Sequence, residues 1–411
     1  MIFPGNLNGT NSQVQKALNR SMILNLIFKE GPLPRSEIVR RTNLTSAAVT
    51  NIVSSLSDEG IIKKVDNKKY EGNNKPGRNP IPIDINYQAK TAIGIHFDSS
   101  SIQIALFNLK GDILFSQTKK YIDLNLEQVI NDIEDFFVDN SVDDFKESLL
   151  GIGIAIPGLV DTSKGIIKNS PRLGWKNVYL REKMEKRFNI PVMVTTSMRA
   201  WTAGELCYNY VDTNESFIAI YANEGIGAGL VVNGRILSGS RHGAGEIGHM
   251  VIDPRGPRCS CGSRGCLEVL ASIKNIVYRF NKETDIEYTL DKWDINMTKY
   301  KELNELVKQK LDGGDEKVDS ILDDTAKYMA IAIANVINLF NPDYIVVTGP
   351  VFDLPSMLDR INNHVDNYVF RGPGDEMSIR KEKTGKNSWT RGAASVIFRN
   401  LFYNPLLKQG E

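Results

Sequence analysis

Apolar residues recur at helical spacing through the N-terminal part of the chain. Between Asn11 and Lys29 they fall on one helical face, which predicts a first helix that ends before the sequence EGPLP. The sequence RSEIVRRT predicts a short second helix, and TSAAVTNIVSSLSDEG predicts a third helix capped by Thr45. The turn at Asn43 and Leu44 between them is typical of a helix-turn-helix. The residues predicted to face inward are Val14, Leu18, Met22, Ile23, Leu26 and Ile27 in the first helix, Ile38 and Val39 in the second, and Ala48, Val49, Ile52, Val53 and Leu56 in the third.

The stretch that follows the third helix predicts the wing of a winged helix-turn-helix. Residues 61–86, IIKKVDNKKYEGNNKPGRNPIPIDIN, predict a strand, a polar loop that contains glycine, and a second strand. We therefore expect residues 1–86 to form a winged helix-turn-helix DNA-binding domain. The alternative is an ordinary three-helix cap with no role in DNA binding.

From about Ala89 onward, the pattern changes to strands that alternate with helices. Residues 92–114 and 217–239 each predict a strand, a turn, a strand, a short glycine turn and a strand, which is a loose internal duplication. Further strands are predicted in LLGIGIAIPG, PVMVTT and DYIVVTGP. The predicted fold class is α/β, because residues 87–411 divide into two α/β lobes with a cleft between them that is a natural ligand site. The first lobe comprises approximately 87–195 with a C-terminal helix at 388–402, and the second comprises 196–387.

Charge is distributed unevenly between these parts. Residues 1–80 carry 12 Lys and Arg against 6 Asp and Glu, whereas the rest of the chain carries 38 against 43. A small basic head on a mildly acidic body suggests a polyanion-binding module attached to a part with a different task.

The outward face of the third helix supplies candidate base contacts. None of these residues is Arg or Lys, and Asn pairs best with adenine while an alanine methyl can touch a thymine methyl, so the face suits A·T pairs better than G·C pairs. Basic residues in the bent sequence NKPGRNP could enter a narrow minor groove. We expect a homodimer or higher oligomer on an A·T-rich inverted repeat of double-stranded DNA. The candidate DNA-binding residues are Thr45, Ser46, Ala47, Thr50, Asn51, Lys75 and Arg78.

Composition places the chain among intracellular, multidomain proteins. Its 411 residues are 41% hydrophobic, which suffices for two or three cores. The start MIFPGNLNGTNSQ lacks the basic and apolar segments of a signal peptide, and the longest apolar stretch, MAIAIANVINLF, is interrupted by Asn335 and Asn338. We therefore expect a cytoplasmic protein without a membrane partner.

Three of the four cysteines fall within eight positions, in the sequence RCSCGSRGCLE. Cys259, Cys261 and Cys266 follow His249 by ten residues or more, and three thiolates with one imidazole make a tetrahedral Zn²⁺ set. Four protein ligands leave no open position for water, so this zinc would be structural. The alternative is a metal-free group of exposed thiols, and Cys207 is expected to be a small core residue.

The sequence GAGEIGHMVIDPRGPRCSCGSRGCLEVLAS resembles the signature of the ROK family of repressors, open reading frames and sugar kinases. The resemblance covers essentially the whole chain, because the winged head and KPGRNPIPIDIN resemble the repressor branch. It implies an actin-like, ribonuclease-H-like pair of lobes, the His/Cys₃ zinc site and a bound sugar. The family's sugar-contacting positions match Glu246, His249 and Glu268, although the two carboxylates could instead support the metal loop.

The chain departs from the kinases of this family at the positions that carry catalysis. Their Asp-x-Gly-Gly-Thr turn corresponds here to residues 98–101, Asp-Ser-Ser-Ser, which contain no glycine. Their Asn-Asp pair, whose aspartate is the general base, corresponds to Thr196 and Ser197, and a neutral serine cannot accept the proton near pH 7. The glycines of the second turn, Gly225 and Gly227, are kept. We therefore expect a protein that is not an enzyme.

One further departure bears on the ligand. Arg172 stands where the family commonly has Asn, so it either favours an anionic sugar derivative or forms a surface or interlobe salt bridge. The favoured function is a sugar-responsive repressor of carbohydrate-utilisation genes that binds a monosaccharide or a close derivative without phosphorylating it. The alternatives are an ATP-dependent sugar kinase with a regulatory head and a repressor released by a protein partner.

Overall fold

The N-terminal head is a helix-turn-helix followed by a small antiparallel sheet. The computed structural model describes residues 12–65, 81–98, 100–122, 124–208, 215–290, 298–370, 377–382, 385 and 387–402. Thr45 caps the third helix, because its side chain accepts a hydrogen bond from the backbone N–H of Ala48 at 3.2 Å. The elements of the head are α1 (Ser12–Glu30), β1 (Leu33–Pro34), α2 (Arg35–Thr42), α3 (Ser46–Asp58), β2 (Ile62–Lys64) and β3 (Pro82–Ile85). The strands pair in the order β1-β3-β2.

The three predicted helices are confirmed, with one error in the predicted inward face of α1. Met22 was expected inside but is 45% exposed, whereas Leu24, which was not expected inside, is fully buried with Ile23 and Ile27. The reason is that α1 packs on the rest of the chain as well as on its own domain. Its buried face is therefore rotated about the helix axis relative to the face that the local periodicity predicts. The residues 66–80, which include the predicted wing residues Lys75 and Arg78, lie outside the described part of the chain.

The first lobe contains a five-stranded mixed sheet and a separate small sheet. Its elements are β4 (Thr91–Asp98), β5 (Ser101–Asn108), β6 (Ile113–Lys120), α4 (Leu126–Asp139), β7 (Leu149–Ile156), β8 (Leu159–Asp161), β9 (Ile166–Ser170), β10 (Trp175–Val178), α5 (Leu180–Phe188) and β11 (Val192–Thr196). The strands of the large sheet lie in the order β11-β7-β4-β5-β6, and β8, β9 and β10 form the small sheet. Antiparallel pairing joins β4 to β5 and β5 to β6, and parallel pairing joins β4 to β7 and β7 to β11.

The second lobe repeats that sheet. Its elements are α6 (Ser197–Tyr208), β12 (Phe217–Ala222), β13 (Ile226–Val232), β14 (Arg235–Ile236), α7 (Leu267–Ala271), α8 (Ile273–Glu283), α9 (Thr298–Asp312), α10 (Glu316–Phe340), β15 (Tyr344–Thr348), α11 (Pro350–Asp353), α12 (Met357–Val365) and β16 (Ser378–Lys381). The strand order is β14-β13-β12-β15-β16, with two antiparallel pairs followed by two parallel pairs, so the predicted internal duplication holds at the level of topology.

The last helix, α13 (Ser388–Phe402), returns to the first lobe. It lies directly on β4 and β7, because a Cβ added to Gly94 would stand 1.8 Å from the carbonyl oxygen of Thr390 and one added to Gly153 would stand 1.9 Å from that of Ala393. It also crosses α6, where a Cβ added to Gly204 would stand 3.1 Å from Cα of Gly392. Glycine at these positions lets the helix backbone rest on the sheet with no side chain between them.

Candidate functional site

The clustered cysteines and His249 meet at one point of the second lobe. Their ligand atoms all lie within 4.8 Å of one another. Sγ of Cys259 lies 3.7 Å from Nδ1 of His249, and Sγ of Cys261 lies 3.7 Å from Sγ of Cys266. Tetrahedral ligands at usual Zn–S and Zn–N distances stand roughly 3.6 to 3.8 Å apart, so this group could hold a tetrahedral metal ion.

The loop that carries these ligands is held by its own backbone. Cys266 pairs with Val251 across an isolated antiparallel bridge, and the N–H of Cys259 donates to the carbonyl of Ser263 at 2.8 Å. A hydrogen bond from the backbone of Ser263 lowers the pKa of the Cys261 thiol, which favours the thiolate that metals bind. Cys259 and Cys266 are buried, whereas Cys261 is exposed. The ligands are therefore positioned by local hydrogen bonds as well as by their spacing.

A cleft of about 980 Å³ lies beside this cluster, between the two lobes. Its walls carry polar and aromatic side chains from both sheets, which is typical of a small-molecule site. The first lobe and α13 contribute among others His96, Asp98, Arg172 and Trp389, and the second lobe contributes Tyr221, Asn223, Glu246, His249, Glu268 and Tyr300.

The three residues expected to contact sugar all line this cleft. Glu268 lies in α7, and its Oε2 accepts a hydrogen bond from the backbone N–H of Ile226 at 3.1 Å. His249 turns Nδ1 toward Cys259, so Nε2 is the imidazole nitrogen left for another partner. Desolvation in the cleft raises the pKa of Glu246, although its side chain is still exposed, and electrostatic interactions with His249 and Arg199 oppose that shift. The second lobe thus presents two carboxylates and one imidazole to the cleft.

Arg172 reaches the cleft from the opposite lobe. A Cβ placed on Gly225 would lie 2.8 Å from Nη2 of Arg172 and 3.2 Å from Oε2 of Glu268. The two charged groups therefore stand on either side of the space that Gly225 leaves open. A larger residue at position 225 would separate them.

The position of the kinase base carries no carboxylate. Thr196 and Ser197 line the cleft where β11 joins α6, and Oγ of Ser197 is buried with no hydrogen-bond partner within the described ranges. Asp98 and Ser101 line the cleft near the first turn, while Ser99 falls outside the described residues. A hydroxyl at this point can accept or donate a hydrogen bond, but it cannot serve as a general base at neutral pH.

Several aromatic cleft residues and one buried arginine were not anticipated from the sequence. His96, Tyr221 and Trp389 come from β4, β12 and α13, which are far apart in the chain, so no local pattern could unite them. Arg199 is 6% exposed, and its Nη2 donates to the carbonyls of residues 238 and 242 at 2.7 and 2.6 Å. It holds the loop that leads to Glu246. An arginine among the small and apolar residues of SMRAWTAGE was the available signal.

The predicted DNA-reading face of α3 is open to solvent. All of its five candidate residues are exposed, while Val49, Ile52, Val53 and Leu56 on the other side of the helix are buried. A helix with a polar, uncharged and accessible N-terminal face is suited to the major groove. The exposed candidates are Thr45, Ser46, Ala47, Thr50 and Asn51.

Among the described helices, none is both long and apolar enough to cross a membrane.

The ROK family model matches residues 92–400, and a model described as winged helix-turn-helix DNA-binding matches residues 18–63. The chain is 26% identical over 387 residues to the xylose repressor of Bacillus subtilis, covering 93% of this chain and 95% of that one. It is 30% identical over 406 residues to the DNA-binding transcriptional dual regulator NagC of Escherichia coli K12, covering 97% and 96%.

Solved structures show the same architecture. A ROK family transcriptional regulator, described as a homologue of the E. coli MLC protein, superposes with a TM-score of 0.78 and 26% identity over 96% of this chain and 99% of that chain. The ROK hexokinase of Thermus thermophilus superposes with a TM-score of 0.63 and 23% identity over 76% of this chain and 99% of that chain. The second comparison bears on the fold alone.

Proposed function

This chain belongs to the ROK family, and we propose that it is a sugar-responsive transcriptional repressor of carbohydrate-utilisation genes. The observation that carries the proposal is the joining of a winged helix-turn-helix head to an interlobe cleft that has Ser197 at the kinase-base position. Support comes from full-length relatives that are named as repressors or transcriptional regulators. The proposed division is a head of residues 1–86 and a body of residues 87–411.

The head is proposed to bind an A·T-rich inverted repeat as a homodimer. The exposed face of α3 would enter the major groove, where Asn51 pairs best with adenine and Thr45, Ser46 and Thr50 offer hydroxyls. The methyl group of Ala47 would meet thymine. Lys75 and Arg78 are proposed to reach the minor groove, and they supply positive charge for phosphate contacts.

The metal group is proposed to hold one structural Zn²⁺ through His249, Cys259, Cys261 and Cys266. Bound there, zinc would cross-link the loop and leave no coordination position for a water molecule. The metal-binding loop lies between Glu246 and Glu268 in sequence, so a loop held in one conformation by zinc would also position both carboxylates.

The cleft is proposed to bind a monosaccharide or a close derivative through Glu246, His249, Glu268 and Arg172. Carboxylate oxygens accept hydrogen bonds from vicinal hydroxyls, and Nε2 of His249 would meet a further hydroxyl. Arg172 adds a donor fork on the opposite wall, which favours an anionic group on the sugar. A kinase function is disfavoured, because no carboxylate occupies position 197 to accept the proton of the sugar hydroxyl.

The test joins a DNA assay to a sugar assay on the same protein. A duplex selected from a random library is titrated in increasing salt, and thermal shift and calorimetry are measured with D-xylose, N-acetyl-D-glucosamine, D-glucose and D-glucuronate. Asn51→Ala should weaken operator binding by about 1 to 3 kcal/mol, whereas Ser57→Ala, six residues further along α3, should not. Glu268→Gln should weaken sugar binding, and Glu182→Gln, an exposed change on α5, should leave it intact.

Two results would contradict the proposal. One is sugar-dependent ATP consumption at kinase-like rates, and the other is an operator affinity that neither Asn51→Ala nor any of the sugars changes. The metal assignment is tested by elemental analysis. A zinc content of about one per chain that falls in Cys261→Ser supports it, and a zinc-free protein with freely titratable thiols opposes it.

A further inference from the structure

Trp389, the second residue of α13, sits where the two lobes meet and lines the cleft. Its ring stacks on His96 of the first lobe, with centroids 5.2 Å apart and planes 15° apart. Its ring also meets Tyr221 of the second lobe edge-to-face at 4.8 Å and 87°. Burial lowers the pKa of His96 to about 4, so the stacked imidazole is neutral at physiological pH. One side chain therefore touches both lobes and the ligand space.

The helix that carries Trp389 in its first turn is in backbone contact with the first lobe and with α6. The glycine contacts at Gly94 and Gly153 put its backbone directly on β4 and β7, and Gly392 would place a Cβ 2.4 Å from the carbonyl oxygen of Ala200 in α6. A helix in backbone contact on two sides cannot absorb a displacement by rearranging side chains. A push at one end is carried by the helix as a body.

The other end of α13 holds the DNA-binding head. The carbonyl oxygen of Phe402 accepts hydrogen bonds from Oγ of Ser21 at 2.6 Å and from Nδ2 of Asn25 at 2.9 Å, both in α1. The rings of Phe28 and Phe402 lie 4.8 Å apart. Buried residues of α1, α3 and β3 share one hydrophobic cluster with Phe107 of β5 and with the C-terminal half of α13. Head and first lobe are thus joined by a common core as well as by a chain connection.

From these contacts we propose that Trp389 is an effector-sensing residue and that α13 transmits what it senses to α1 of the head. The proposal rests on the proposed repressor function and specifies how that function is regulated. A ligand in the cleft contacts Trp389 or changes its packing between His96 and Tyr221. Thirteen residues further along, about 20 Å away at 1.5 Å per residue, the same helix ends on α1. Because α13 is in backbone contact with β4 and β7, helix and sheet would turn together, and a rotation of a few degrees at the cleft becomes a shift of about 1 Å at the head, which is the scale of known switching movements.

Linkage makes the proposal testable without knowing the effector or the operator. Coupling between two sites is reciprocal, so loosening either end of α13 must be felt at the other. Hydrogen exchange of backbone amides is measured by mass spectrometry on the full chain. Trp389→Leu removes the sensing ring. Trp175→Leu is the control for general destabilisation, because it removes a buried indole of the first lobe that contacts Phe97 and belongs to a hydrophobic cluster without residues of α13.

The expected result is selective. Trp389→Leu should speed exchange in residues 21–28 of α1 by at least about fivefold, the low end of ordinary coupling, and Trp175→Leu should not. In the reverse direction, Asn25→Ala should speed exchange in residues 388–394, whereas Arg20→Ala, which breaks an ion pair with Glu59 within the head, should not. Should Trp389→Leu not fold, the reverse pair decides alone.

Unchanged exchange at the far end in both directions would overturn the proposal. This failure would leave the repressor function standing, because DNA and sugar binding are measured separately. Conversely, a chain that shows the coupling but binds no operator would refute the proposed function and not the connection through α13.

Discussion

Replacing Gly94 with alanine tests whether α13 lies directly on the first sheet. The added Cβ would stand 1.8 Å from the carbonyl oxygen of Thr390, 2.7 Å from its carbonyl carbon and 3.0 Å from the nitrogen of Ala394. Since Cβ contacts under 3.0 Å essentially never occur, the helix would have to withdraw by about 1.2 Å, the difference between 3.0 and 1.8 Å. All three neighbouring atoms belong to backbone, so no side chain can turn aside.

The expected cost follows from that geometry. Overpacking typically lowers the free energy of unfolding by about 1 to 3 kcal/mol. The atoms next to Gly94 are backbone atoms of a helix whose Ala393, Ala394, Ile397 and Phe398 are buried, so we expect Gly94→Ala to cost about 3 kcal/mol. The control is Gly243→Ala, because nothing lies within 4 Å of its added Cβ and its φ is not in the left-handed region. That change should be neutral or stabilising by up to about 1 kcal/mol.

The measurement is urea unfolding followed by far-UV circular dichroism and by tryptophan fluorescence. Coincidence of the two transitions establishes whether a single free energy of unfolding describes the chain. If Gly94→Ala unfolds at the same urea concentration as Gly243→Ala, α13 does not pack directly on β4. The proposed connection from the cleft to the head would then lack its main support.

Two further changes have directions set by the structure. Because burial lowers the pKa of His96 from 6.5 to about 4, the unfolded chain takes up a proton below pH 6.5 that the folded chain does not, and on the order of 3 kcal/mol of stability should be lost as pH falls from 6.5 to 4. His96→Gln, beside the same Asp98 and Arg172, should lack this part of the acid sensitivity, and equal pH slopes of the unfolding free energy would disprove the assignment. Thr45→Ala removes the side-chain cap that accepts a hydrogen bond from the N–H of Ala48, and it should lower the free energy of unfolding in urea by about 1 kcal/mol. An unchanged free energy would mean that this cap does not stabilise α3.

The features that sequence alone revealed are those encoded locally. The helix-turn-helix follows from periodicity within about 50 residues, and the metal group follows from three cysteines and His249 close together in the chain. The two repeated strand segments could be predicted because each begins with strands joined by short turns. Glu246 and Glu268 were found through the resemblance to a family, since nothing in their own spacing shows that they face a cleft.

The rest depended on contacts between distant segments. Trp389 and His96 are almost 300 residues apart, and neither carries a local signal that it meets the other. The buried face of α1 was misjudged at Met22 because the surface that covers Leu24 belongs to a cluster that includes Ile397 and Phe398. Arg172 lines the cleft, its role there stays a prediction, and its approach to Glu268 could not be seen without coordinates.

The seat of α13 also has a consequence for biosynthesis. Strands β4 and β7 leave the ribosome almost 300 and more than 200 residues before the helix that covers Gly94 and Gly153. Until α13 emerges, the faces of both strands and the adjoining surface of α1 lack their partner, so the nascent head and first lobe expose apolar area for the whole time that the second lobe is translated. At about 5 to 20 residues per second that interval lasts tens of seconds, long enough for a chaperone to bind. We expect the head to reach its final packing against the first lobe only when α13 docks.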